Sequence, residues 1–483
     1  MASRSAANDR DMTAFDTVLF RGDEDPHTRA LLAVTYVLDR TPTREQFVAT
    51  FDRASRLILR LRQKVVAPPL PVFLPSWIVD PDFDLGYHLR FGRLPAPGSL
   101  RALMDASQAE VVTHLDSARP LWEAVLLEGV KGGKAAVIIK MSHAITDGIG
   151  AVKLFAALLD AERSPTRGEM PPPPIPEDVT PEELLEKSLR RLPASVLHGL
   201  ATNWRDVVGT AAQLARAPAS TVGSVVGYVR SLGRVMSAQG EPSPLLAGRS
   251  LARRCLGFEM PLVELKQAGK AVGATVNDIY VAGIVAALRR YHEALGESVD
   301  SVPIAIPVNL RSEDDPAAGN FFGAILMAGP IGEPDPLERV RKISHDIRAA
   351  RDEPAIGVMG LMAPVLARLP ESVRHSMAES TPKPDIQASN IAGPTRPIYI
   401  SGARIEKAYG FGPAPGTGAM FTMQSIAGTC YIGVNLDPAA ITDPGLFGRC
   451  LQQGFVETLK LGVERPRVSR PVVSRGLDHK ETA

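Results

Sequence analysis

An α/β chain built as two halves of similar size is what the sequence predicts. Three observations carry that expectation. Short β-branched runs alternate with stretches whose apolar residues recur at three and four, from about residue 30 to about 460. SPTRGEMPPPPIPEDVTPEELL, residues 164–185, holds a proline run that fits neither a helix nor a central strand. AQGEPSPLLAG, residues 238–248, is a second turn-rich break. The expected organisation is a first half over 12–165, a proline-rich and helical linker over 166–248, a second half over 249–465 and a disordered tail over 466–483. A length of 483 residues suits more than one domain.

In chain order, ALLAVTYVLD (30–39) reads as a strand. TREQFVATFDRASRLILRL reads as a helix, with Thr43 as its N-cap and Glu45 in the first turn. LWEAVLLEGV and KAAVIIKMSH are two strands around KGGK, a hairpin signal. DGIGAVKLFAALLDAE reads as the next helix, and 181–238 as amphipathic helices. The second half gives helix TVNDIYVAGIVAALRRYHEAL, strands SVPIAIPVNLR and GAILMAGPI, helix PLERVRKISHDIRAARD, and late strands in MFTMQSIAGTCYIGVNLD.

Composition excludes several classes. A net charge of +1 gives no basic surface for nucleic acid, and 45% hydrophobic with 22% charged residues is ordinary for a globular chain. Cys255, Cys430 and Cys450 are far apart, which fits neither a disulfide framework nor a cysteine-rich zinc site. The opening stretch shows no apolar core of a secretory signal, and no uncharged apolar run reaches about 18 residues. A cytoplasmic protein is the expectation.

The chemistry centres on KMSHAITDG, residues 140–148. His143 ends a β-branched strand and precedes a helix, a rigid mount that leaves an imidazole facing a cleft. At neutral pH a histidine can take a proton from a hydroxyl and return it. Asp147 and Gly148 are placed to fix the turn that follows. Ser142 adjoins His143, so on a strand the two side chains point to opposite faces. No G-x-S-x-G elbow occurs, and no second metal ligand lies at a suitable spacing near His143. Neither a serine hydrolase nor a metal site is expected.

KMSHAITDG resembles the H-H-x-x-x-D-G motif of CoA-dependent acyltransferases, and most of all that of the bacterial wax ester synthase/diacylglycerol acyltransferase family. Other matches follow in order: DPDFDLGYHLR (80–90); LDSARPLWEAVLLEG (115–129), with Pro120, Leu121 and Trp122; TVNDIYVAGI with Asn277 and Asp278; Gly319 and Asn320; and SNIAGP with Ser389, Asn390, Gly393 and Pro394. The resemblance spans roughly residues 12–460. It implies two chloramphenicol-acetyltransferase-like, condensation-domain-like α/β domains with the active site at their interface. It also implies His143 as general base, acyl-CoA as a substrate with no cofactor, and a diacylglycerol or long-chain alcohol as acceptor.

One position departs from the pattern: the family's first histidine is Ser142 here. A supporting role is expected of it. Arg311 is expected to pair with Asp147 across the interface, as a bidentate arginine suits that task. Asn277 and Asp278 are expected to play a structural part near the site, since Thr275 caps that helix. Ser389 and Asn390 precede AGP, a turn, where they could serve turn chemistry or donate to a CoA carbonyl or an oxyanion. Arg190, Arg191, Arg205, Arg216, Arg230 and Arg234, set among apolar residues, suit a peripheral site on a membrane or lipid droplet. Two alternatives share the fold: a carrier-protein-dependent condensation-type acyltransferase, and a low-activity lipid-binding paralogue with Ser142 as its mark.

Overall fold

The computed structural model describes residues 10–145, 154, 157–166, 168–191, 240–309, 322–351, 363–380 and 383–475. The first half opens with α1 (Ala14–Gly22), whose N-cap Thr13 accepts the Asp16 amide. Then come β1 (Leu31–Leu38) and α2 (Arg44–Leu57). Thr43 caps α2 as expected and forms a reciprocal box with Gln46. A small hairpin, β2 (Gln63–Val66) with β3 (Ser76–Val79), precedes β4 (Leu89–Arg93) and α3 (Leu100–Val112). β5 (Trp122–Val130) and β6 (Lys134–Ser142) form the expected hairpin around KGGK. In the linker, α4 (Pro181–Arg190) is set by a box between Thr180 and Glu183.

The second half begins with β7 (Arg254–Pro261), α5 (Leu262–Val272) and α6 (Val276–Ala294). β8 (Val302–Asn309), β9 (Phe322–Gly329), α7 (Pro336–Arg351) and α8 (Glu371–Ser380) follow. The run then closes with β10 (Ile386–Ile391), β11 (Tyr399–Ile400), β12 (Ala403–Phe411), β13 (Ala419–Ile426), β14 (Thr429–Leu436), α9 (Pro444–Leu459) and β15 (Val472–Val473).

Two sheets dominate. One has six strands in the order β11-β12-β1-β6-β5-β4, and the other seven in the order β15-β7-β14-β13-β10-β8-β9. Each has its own apolar core. Phe47, Phe51, Tyr36, Trp122 and Ile138 fill the first, and Tyr280, Tyr291, Phe421, Phe447 and Phe455 the second. α6 is buried nearly all round, which is why its apolar residues run together rather than in a single stripe.

The halves exchange chain. β12 belongs by sequence to the second half, yet it pairs antiparallel with β1 of the first, Ala33 opposite Phe411 and Val34 opposite Gly410. A boundary drawn at 249 does not anticipate this, because a strand's partner is chosen by tertiary packing and leaves no local mark. Where β12 passes over the second sheet, the backbones touch: a Cβ on Gly433 would lie 2.0 Å from the Gly410 carbonyl oxygen. Only glycine permits that approach.

The expected tail also needs correction. Residues from 466 to 475 are docked, not disordered. The Ser469 amide donates to Glu259 O (2.9 Å), β15 pairs with β7, and the Ser474 amide donates to Cys255 O (2.8 Å). The edge of β7 offers unpaired backbone groups, and two valines suffice to cover it. So short a strand carries too little periodicity to be read from sequence. Residues 476–483 lie outside the described residues.

Candidate active site

β6 delivers His143 one residue beyond its end. The strand is held from both sides: the Ser142 amide donates to Leu121 O (3.0 Å) and the His143 amide to Ala30 O (3.0 Å). Ser142 faces Leu31 of β1 in the register and is fully buried. Its hydroxyl donates to Asp23 Oδ2 at 2.5 Å, and its Oγ accepts the Ala144 amide at 3.1 Å. The second contact begins the turn, which the Ile145 amide continues by donating to Ser142 O (3.2 Å). His143 is half-buried, and strand alternation sends its ring to the face opposite Ser142.

Asp23 sits just past α1. Its Oδ1 accepts the Ala30 amide at 2.8 Å, and its own carbonyl accepts Arg29 Nε at 2.9 Å. Burial pushes its carboxyl above the ordinary value, against the hydrogen bonds from Ser142 and Ala30 and the nearby charges of His114 and Arg29. Nothing in the sequence singled out Asp23, which is distant in the chain from the motif it supports.

Beside this, Leu121 and Trp122 of PLW belong to the apolar core of the first half. Trp122 is buried, stacks on His88 at 4.6 Å and on Phe51 at 5.7 Å, and donates from Nε1 to Leu61 O at 2.8 Å. His88, from DPDFDLGYHLR, bonds through Nδ1 to Trp122 O at 2.7 Å. Burial lowers its pKa, so the ring is neutral. The two segments matched before the histidine motif therefore lock together in one stack.

Asp147, Gly148 and Arg311 lie outside the described residues, and so does the pairing expected between Asp147 and Arg311; Gly319 and Asn320 lie outside them too. Asp278 is buried in the first turn of α6. It accepts the Thr275 amide (2.8 Å) and the Ser344 hydroxyl (3.0 Å), and so joins α6 to α7. Asn277 beside it is half-buried.

Ser389 and Asn390 precede the turn, as expected. They end β10, parallel to β13, with Ser389 opposite Thr422 and Asn390 opposite Met423. The turn begins after them. Gly393 there is forced, since a Cβ would meet the Ser425 carbonyl oxygen at 2.1 Å. Ser389 and Thr422 share a face of the second sheet with Gln424 and Asn435. That face lies against β12, where a Cβ on Gly410 would lie 2.9 Å from Thr422 Cγ2. Thr422 Oγ1, Gln424 Nε2 and Asn435 Oδ1 are buried without hydrogen-bond partners among the described residues. Such groups suit a polar ligand. The alternation in MFTMQSI, with Thr422 and Gln424 two apart, was the signal that could have found them.

One other constellation has the right residue types and the wrong surroundings. Ser243 Oγ and His292 Nε2 are 2.8 Å apart, with Asp385 accepting the Ser243 amide. Both Ser243 and His292 are buried, His292 Nδ1 bonds to Leu288 O, and the group ties the linker to the second half. Of the arginines expected at a membrane, Arg190 pairs with Glu186, and Arg191 pairs with Asp11 at 2.7 Å; Arg205, Arg216, Arg230 and Arg234 lie outside the described residues. No single helix among the described residues is long and apolar enough to cross a membrane.

Comparison with known proteins agrees with this architecture. The model of the wax ester synthase/diacylglycerol acyltransferase catalytic domain matches residues 13–280, and that of the family's C-terminal domain matches 318–458. A Mycobacterium tuberculosis protein with the provisional name diacylglycerol O-acyltransferase is 43% identical over 454 residues, covering 94% of this chain and 92% of its own. Another from that organism, of similar provisional name, is 30% identical over 379 residues, 74% and 78% of the two chains. The solved wax ester synthase/diacylglycerol acyltransferase from Marinobacter aquaeolei VT8 superposes with a TM-score of 0.61 at 21% identity, over 94% of this chain and all of that one. The starter condensation domain of rhizomide synthetase gives 0.55 at 14%, over 96% and 97%. The fold is thus shared with both groups, and the sequence matches decide between them: the chain is an acyltransferase that belongs to the wax ester synthase/diacylglycerol acyltransferase family.

Proposed function

We propose that the chain transfers a fatty acyl group from acyl-CoA to the hydroxyl of a diacylglycerol or long-chain alcohol, giving a triacylglycerol or wax ester, with His143 as the general base. The observation that carries this reading is the mounting of His143: a half-buried ring on a strand end whose backbone is bonded on both sides. Such a mount holds a base within reach of a bound hydroxyl without reorganisation. The names of the relatives supply the acceptor class.

The acceptor hydroxyl gives its proton to His143 as its oxygen bonds to the thioester carbonyl carbon. The carbonyl oxygen takes the charge of a tetrahedral intermediate. That intermediate collapses, the carbon–sulfur bond breaks, and CoA thiolate takes the proton back from the imidazolium. Ser389 is suited to donate to the developing oxyanion or to a carbonyl of CoA, with Asn390 beside it. Asp147 and Gly148 shape the turn after the base, with Arg311 as the partner of Asp147. Because the acceptors are poorly soluble, the enzyme works at the surface of a membrane or lipid droplet, to which it binds peripherally.

The test is free CoA release from palmitoyl-CoA with diacylglycerol, hexadecanol or water as acceptor, and ester identified in the product. Release that needs a hydroxylated lipid supports the reading. Release with water alone, at the same rate, makes the chain a thioesterase instead and rejects it.

A further inference from the structure

Two hydrogen bonds, one from the residue just before β1 and one from the end of β6, converge on one carboxyl group. Asp23 Oδ1 accepts the amide of Ala30, the residue whose carbonyl accepts the amide of His143. Asp23 Oδ2 accepts the hydroxyl of Ser142, the residue joined to His143 on its other side. The same Ser142 oxygen accepts the Ala144 amide and so sets the turn that leads away from the ring. His143 is therefore held by a single side chain through Ala30, which accepts its amide, and through Ser142, its neighbour in the chain. Ser142 and Asp23 are both buried, so water does not compete for either bond.

We propose that Asp23 is the positioning residue for His143, gripping the start of β1 and the end of β6 together, with the Ser142 hydroxyl as the handle it holds. Serine in place of the family's first motif histidine then keeps the support of the base in another form. The nearby charges of His114 and Arg29 offset part of what it costs to keep this carboxylate ionised out of water. The inference rests on His143 as the base.

Displacement of a catalytic group by about 1 Å can lower turnover by about 10²-fold. Asp23→Asn removes the charge and one of the two acceptor oxygens at nearly constant volume. It is expected to lower kcat by about 10- to 100-fold while KM for acyl-CoA stays within about threefold. Ser142→Ala removes both hydrogen bonds of the hydroxyl, to Asp23 and from the Ala144 amide, and is expected to lower kcat by about 3- to 10-fold; Ser142→Thr, which keeps the hydroxyl, restores most of that loss. The double variant Asp23→Asn/Ser142→Ala is expected to be no worse than Asp23→Asn alone, since the two residues act as one unit. Wild-type kcat in both single variants, a rise in KM with kcat kept, or strictly additive losses would overturn the inference. If Asp23→Asn does not fold, the Ser142→Ala and Ser142→Thr pair decides: equal kcat in those two rejects the proposal, and loss with rescue supports it. His143→Ala, assayed alongside, separates the two claims. Activity there removes the base itself, whereas a dead His143→Ala beside fully active Asp23 and Ser142 variants removes only the positioning role.

Discussion

A methyl group placed on Gly433 tests how tightly the two halves are fastened. In Gly433→Ala the new carbon would lie 2.0 Å from the Gly410 carbonyl oxygen, 2.9 Å from the Gly410 carbonyl carbon and 3.1 Å from its nitrogen. All three are backbone atoms, so no side chain can swing aside. β12 must lift from β14 by roughly 1 Å or more to regain ordinary contact distances of about 3.5 Å. Overpacking of this kind costs about 1–3 kcal/mol. For a unit of about 200 residues that is about 2–12 °C in Tm. β12 also pairs with β1, which holds His143 through Ala30, so the strain reaches the site. A fall in kcat of about 10-fold or more accompanies the lower Tm. The assay is a thermal melt beside CoA release under saturating substrate. Gly168→Ala is the control, since nothing lies within 4 Å of the added carbon. If Gly433→Ala melts and turns over like Gly168→Ala, the halves are not held by this crossing.

Three further outcomes follow from the packing. Trp122→Phe leaves Leu61 O without its indole donor and thins the stack with His88 and Phe51. It lowers stability by about 1–3 kcal/mol by denaturant titration, and an unchanged midpoint would contradict the role given to the motif tryptophan. Burial lowers the pKa of His88, so the folded protein binds its proton more weakly than the unfolded chain does. Stability from the neutral ring is present above about pH 6.5 and is lost as pH falls below it. Arg119, Asp80 and Asp84 act on the same ring. The Tm drop between pH 7.5 and 5.5 should be smaller in His88→Gln, and an equal drop would refute the assignment. Truncation after Arg465 uncovers the β7 edge and lowers Tm, whereas an unchanged Tm would make the docking of β15 incidental.

The sequence was most informative where structure is local. Thr43, Thr180 and Thr275 each cap a helix by an oxygen three residues from the amide it accepts, and such spacing is visible in one line of letters. The β5–β6 hairpin declares itself by KGGK between two β-branched runs. His143 could be singled out because its motif is contiguous. What could not be read depends on partners far along the chain. The pairing of β12 with the first sheet, the strand β10 that carries Ser389 and Asn390, and the docking of the final residues against β7 all depend on such partners. Asp23 meets Ser142 across 119 positions, and no periodicity links them. Thr422 and Gln424 are legible as an alternation, but only the crossing of β12 encloses the face they share.

Proton removal by a single imidazole is the step on which the account depends, and His143→Ala measures it most directly. With palmitoyl-CoA and a lipid alcohol at saturation, the variant should fold, melt within a few degrees of the parent, and form ester about 10²- to 10⁴-fold more slowly. Ester formation at the parental rate by the folded variant would contradict the account.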